Sequence, residues 1–114
     1  MILIAPLFLR LIGGKFVNAM ALWPFILVRN IDTKKSNVTI HHEKIHIRQQ
    51  LEMLVIPFYL AYLIFYIYYR MHGSSHMHAY LSIPFEKEAY SEDSNIEYLG
   101  VRKFWAWTRY VEKT

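Results

Sequence analysis

Apolar and polar positions fall in blocks along this chain, and each block predicts an element. Met1 to Leu9 is apolar, Arg10 interrupts it, and Gly13-Gly14 permits a turn, so the opening reads as a short strand or a surface-anchoring segment. No basic residue precedes it and no clear small-residue cleavage site follows, so no signal peptide is expected. Ala19 to Val28, with Trp23, Phe25 and Ile26, suits a strand. Pro24 lies inside that run and cannot donate to a sheet ladder, which predicts an edge strand or a bulge. Such an edge, near Trp23 to Val28, could take an extended peptide by strand addition.

Arg29 to Asn37 is polar and reads as a loop. A helix then starts between Ser36 and Thr39, any of which could cap it, and runs to about Ile56. His42, His46, Gln49 and Met53 recur at helical spacing and form one stripe on it. Pro57 predicts a kink or break. Met53 to Tyr69 is the longest uncharged run, at the low end of what crosses a bilayer as a helix. Tyr59, Tyr62, Tyr66 and Tyr69 give it a wet edge, so it reads as a core or interfacial helix rather than a span. His72 to Pro84 reads as a polar connection, Phe85 to about Glu97 as a helix, and Gly100 as its end. Val101 to Lys113 alternates basic and aromatic residues and is expected to pack on the domain rather than on a membrane.

Composition narrows the picture. A chain of 114 residues suggests one domain, residues 1–114, with one modest core. Hydrophobic residues make up 54% and aromatics 17%, which raises peripheral membrane contact; the expected location is cytoplasmic or at a membrane surface. The formal charge of +4 is scattered and no nucleic-acid motif is visible, so no nucleic-acid partner is expected. Cysteine is absent, which excludes disulfides, thiolate metal sites and a cysteine nucleophile. Oligomeric state is left open.

The chemistry centres on His42-Glu43-Lys44-Ile45-His46, which reads H-E-x-x-H. On a helix, residues four apart share a face, so His42 and His46 can offer two imidazoles to one metal ion, with Glu43 placed to take a proton from water. Catalytic zinc usually has three protein ligands. Downstream, Glu86 to Tyr90 reads E-x-x-A-Y. His41 lacks a histidine four residues on and reads as a neighbour of the site; His72, His76 and His78 read as solvated.

H-E-x-x-H followed by E-x-x-A-(D/Y) resembles the gluzincin group of zinc peptidases, whose third ligand is a glutamate on a second helix. It looks closest to the compact site of membrane-associated members such as the prenyl-protein protease and the β-lactam-sensor peptidase. Trp23-Pro24-Phe25, His42 to Gln50 and Phe85 to Tyr90 are also similar to motifs in a group of short bacterial proteins, a resemblance that spans most of the chain. It implies an α+β, zincin-like domain with a small N-terminal β-ribbon or sheet, an active-site helix, a Tyr-rich helix, and a second helix carrying the third ligand. It implies Zn2+ on His42, His46 and Glu86, Glu43 as general base, and a peptide or protein substrate.

Glu86 and Glu88 lie about 200° apart around a helix, so only one reaches the ion. Glu86 matches the resembled pattern, whereas Glu88 pairs with Glu92 and reads as solvated. Where the family has an aspartate supporting a ligand histidine, this chain has Tyr90. Tyr80 and His78 are the candidates for stabilising an oxyanion. The rival reading is a membrane-associated binding or scaffold protein with a structural or vestigial zinc site.

Overall fold

Proline's missing N–H decides the sheet. The run expected as one strand is a hairpin, β2 (Ala19–Leu22) and β3 (Phe25–Val28), with Trp23 and Pro24 as its turn and a cis peptide bond between them. The pairing is antiparallel, with Leu22 opposite Phe25 and Met20 opposite Leu27. The structure, a computed structural model, describes residues 2–13 and 17–111; Met1, Gly14 and Lys113 lie outside them. β1 (Ile2–Ile4) pairs parallel to β3 on its other side, giving the order β1-β3-β2. β3 is therefore the central strand and not an edge, which overturns the expected strand addition along Trp23 to Val28. The outer side of β2 is occupied as well: the Gln50 amide donates to Ala21 O (2.9 Å) and accepts from Trp23 N (2.7 Å). One side-chain amide there stands in for a neighbouring strand's peptide group, and the Tyr59 hydroxyl also donates to Ala21 O.

The opening apolar stretch becomes a strand and then a helix, α1 (Pro6–Gly13). The polar stretch after β3 is not all loop. Asn30 Oδ1 accepts from Thr33 N (2.8 Å) and starts a short helix, α2 (Ile31–Lys35). Ser36 caps the main helix, α3 (Asn37–Met53), by accepting from Thr39 N (3.3 Å). The break expected at Pro57 falls three residues earlier. Leu54 takes φ 69°, and α4 (Val55–Met71) leaves at 109° to α3. Pro57 then sits in the first turn of α4, where its absent N–H has no helical partner to lose.

After Gly73, whose φ of +93° suits a residue with no Cβ, the expected connection contains a further helix, α5 (His76–Ser82). Ser75 caps it by accepting from His78 N (3.2 Å). α6 (Pro84–Glu92) stops short of Glu97, so Gly100 does not end it; Gly100 lies inside the short α7 (Tyr98–Val101). A 3-10 helix, Ala106–Tyr110, follows, and its Trp107 ring packs 4.7 Å from that of Phe85, as expected for a tail that folds back on the domain.

Two apolar clusters flank α3. Ile26 and Val28 of the sheet pack with Ile40. On the other side Phe58 of α4 meets Ile83 and Phe85, with Tyr62, Phe65 and Trp107 around them. The Phe58 and Phe85 rings lie 4.7 Å apart. α4, which holds most of the run Met53 to Tyr69, is thus part core helix: Phe58 is 1% exposed, but Leu60, two residues on, is 59% exposed. Phe58→Ala should lower unfolding free energy by ~3–5 kcal/mol through the cavity it opens, and Leu60→Ala by less than about 0.5 kcal/mol. Urea denaturation of the two variants beside the parent checks this; equal losses would contradict the placement of α4.

Candidate metal centre

Helical spacing brings His42 and His46 to one face of α3, and α6 crosses that face with Glu86. His42 Nε2 lies 3.1 Å from Glu86 Oε1, and His46 Nε2 lies 3.0 Å from the same oxygen. All three residues are buried, at 5–6% exposure. Their ligand atoms lie within 4.8 Å of one another. Donors placed about 2.0–2.1 Å from a tetrahedral ion stand roughly 3.3 Å apart, so the group could hold a metal ion with small adjustments.

The outer nitrogens fit the same role. His42 Nδ1 is 3.1 Å from Asp93 Oδ2, and His46 Nδ1 is 2.8 Å from Gln49 Oε1. Each partner is an acceptor, so each ring carries its hydrogen on Nδ1 and turns Nε2 inward, the arrangement typical of ligating histidines. Two imidazole lone pairs then face a carboxylate oxygen, a repulsive arrangement unless a proton or a cation lies between them. Tyr62 donates to the other oxygen, Glu86 Oε2 (2.7 Å).

Without metal, a proton takes that place. Burial works against a charged His46, but the charge and hydrogen bond of Glu86 outweigh it; with help from Glu43 and Gln49 they push His46 up to about 9. Glu86 is lowered, its burial overcome by the charge of His46 and by its hydrogen-bond contacts with His42 and His46. Glu43, 7% exposed, is raised chiefly by burial, against the charges of His46 and His42; Glu86 adds to the rise, and a hydrogen bond from the Ala21 backbone opposes it. That bond draws β2 into the site.

Of the residues marked in the sequence, His42, His46 and Glu86 come together with Glu43 beside them. Glu88 does not join them, but neither is it solvated with Glu92: it is fully buried and paired with Arg102. The Tyr90 ring lies 4.4 Å from that of His42. The carboxylate beside His42 comes instead from Asp93, three residues on at the C-cap of α6. The Tyr80 hydroxyl bonds that of Tyr90 (3.0 Å), whereas His78 bonds Ser74 Oγ (3.0 Å) and is exposed. His41 is a neighbour, bonding the Asp93 carbonyl through Nδ1 (3.0 Å) and so holding the residue that supports His42. Asp93 carries a signal in the sequence: at helical spacing residues 86, 90 and 93 share one face.

The raised His46 fixes a pH dependence for the metal-free protein. A folded-state value above the ordinary 6.5 contributes stability that is complete below about 6.5 and is lost as pH rises through about 9. Melting temperature in chelator should therefore fall between those pH values, and in His46→Ala this component of the fall should be absent. A parent profile no steeper than that of the variant would contradict the His46–Glu86 pairing.

No protein-family model, curated protein or solved structure matches this chain.

Proposed function

We propose that the protein is a zinc-dependent peptidase of the gluzincin type, built on a small zincin-like α+β domain. One observation carries this reading: two imidazoles and one carboxylate converge in a buried site with a second carboxylate, Glu43, beside them. The donors are nitrogen and oxygen only, and His2Glu with an open fourth position is a set that catalytic zinc uses. Zinc, when bound, supplies Lewis acidity, polarising a carbonyl and making water more acidic.

The chain's own groups do the rest. Glu43, held above the usual carboxylate range, takes a proton from the attacking water and later delivers it to the departing amine. Tyr62 and Asp93 keep Glu86 and His42 in place through the proton transfers. Tyr80, whose hydroxyl is kept protonated by burial, by the charge of Glu86 and by its bond to Tyr90, is the candidate donor to negative charge on a substrate oxygen. The substrate is a peptide or protein.

A second reading, a membrane-associated binding protein whose metal is structural, draws on the outer face of α4. Ile56, Leu60, Leu63, Ile64, Ile67 and Met71 are all exposed and fall on a stripe about 100° wide. Apolar surface of that kind suits the headgroup region of a membrane. Among the described residues no single helix is long and apolar enough to cross one.

Glu43→Gln separates the two readings. The peptidase reading expects hydrolysis of an unstructured protein substrate to fall by ~100-fold or more, with zinc content unchanged. Equal hydrolysis by parent and variant would end it. For α4, alkaline carbonate should release the protein from membranes; retention in the pellet would contradict surface contact.

A further inference from the structure

The C-terminal segment reaches the metal site through a chain of hydrogen bonds in which every donor and acceptor is fixed. Arg102 has donors and no acceptor. Its Nε donates to Glu88 Oε2 (2.5 Å) and Nη2 to Glu88 Oε1 (3.0 Å). The same guanidinium donates to Glu52 through Nη1 (2.7 Å) and Nη2 (3.1 Å). Tyr98 also donates to Glu88. A carboxylate so surrounded has only acceptor capacity to offer elsewhere. Glu88 Oε1 accepts from Gln49 Nε2 (2.9 Å), and the Phe85 carbonyl, equally an acceptor, takes its other hydrogen (3.2 Å).

A side-chain amide carries both hydrogens on one end. With its nitrogen committed to two acceptors, Gln49 must turn its oxygen to His46 Nδ1, at 2.8 Å. His46 then keeps its hydrogen on Nδ1 and presents Nε2 to Glu86. The opposite amide orientation would aim N–H groups at Nδ1, put the hydrogen on Nε2 and remove that nitrogen as a ligand.

We propose that Arg102, Glu88 and Gln49 form a relay of positioning residues by which the C-terminal segment fixes the metal-binding nitrogen of His46. The proposal rests on reading His42, His46 and Glu86 as metal ligands. None of the three relay residues touches the ion or a substrate. Gln49 and Glu88 are fully buried, and the Arg102 side chain is 1% exposed. Burying this much polarity costs more than an apolar packing of the same volume would, so the arrangement calls for a role beyond holding the fold. Setting a ligand's tautomer is such a role, and losing a partner of this kind typically costs ~10–100-fold in metal affinity. The segment is held at a second point too, where Trp105 N donates to Glu52 Oε2 (2.6 Å). Tail docking and ligand orientation are therefore coupled.

Coupling, rather than loss of affinity alone, is the test. Co2+ is titrated into chelator-treated full-length protein, following its visible absorption, for the parent, Gln49→Met, Glu88→Gln and the double variant. Each single change should weaken cobalt binding by ~10-fold or more, with the metal-free far-ultraviolet dichroism unchanged. The double variant should bind no more weakly than the weaker single, because Glu88 acts only through Gln49. In the zinc-loaded parent the His46 Nδ1–H proton should exchange slowly with solvent, and in Glu88→Gln it should exchange faster. If Glu88→Gln does not fold, Arg102→Lys, which keeps the charge but not the fork, takes its place in the same cycle. Parent affinity in Glu88→Gln, or losses that multiply in the double variant, would overturn the relay while leaving the metal site standing. A parent that binds no cobalt would remove the metal site and the relay together.

Discussion

Glu86 Oε1 sits between two imidazole nitrogens, 3.1 Å from His42 and 3.0 Å from His46, with almost no access to water. A buried carboxylate costs several kcal/mol unless positive charge and hydrogen bonds compensate it. That requirement explains much of the surrounding structure. α6 must cross α3 at the histidines, which fixes where the chain after α5 can go. Tyr62 comes from α4, beyond the sharp bend at Leu54, to satisfy the second oxygen. Asp93 and Gln49 must hold the outer sides of the two rings. Each helix that touches the site is placed by a polar partner as much as by apolar packing.

The apolar groups lie to either side of this polar centre and do not mix with it. Sheet residues and Ile40 form one cluster; Phe58, Ile83 and Phe85 form the other. A chain this short buries only a modest core, and most of the polar groups buried beside it are hydrogen-bonded. Gln50 closing the edge of β2 and Arg102 joining Glu88 to Glu52 are two such pairings. Others tie the site to distant parts of the chain: Tyr62 of α4 bonds Glu86, the Ala21 backbone of β2 bonds Glu43, and Arg102 bonds Glu88, which bonds Gln49 beside His46.

Much of this was legible in the sequence where local rules decide. The shared helical face of His42 and His46 follows from their four-residue spacing, and the cap expected between Ser36 and Thr39 is narrowed by the structure to Ser36; Glu86 is singled out by the resembled motif. Three features did not follow. Pro24 reads as an edge residue in isolation, but the hairpin it helps to turn leaves β3 in the middle of the sheet. Glu88 beside Glu92 reads as solvated, because nothing local reveals that Arg102, fourteen residues away, returns to pair with it. The break at Leu54 has no signal of its own; tertiary packing of α4 on α6 places it ahead of Pro57. What periodicity misses is long-range polar pairing, which has no repeat to detect. Asp93 is the intermediate case, visible once α6 is known to face α3.

The central claim is that His42, His46 and Glu86 hold one metal ion. Zinc-edge X-ray absorption on protein purified without chelator and brought to one equivalent of zinc tests it most directly. The account predicts a single bound zinc with nitrogen and oxygen neighbours at about 2.0–2.1 Å and the outer-shell scattering of two imidazoles. Protein that takes up no zinc, or zinc whose spectrum contains no imidazole scattering, would contradict it.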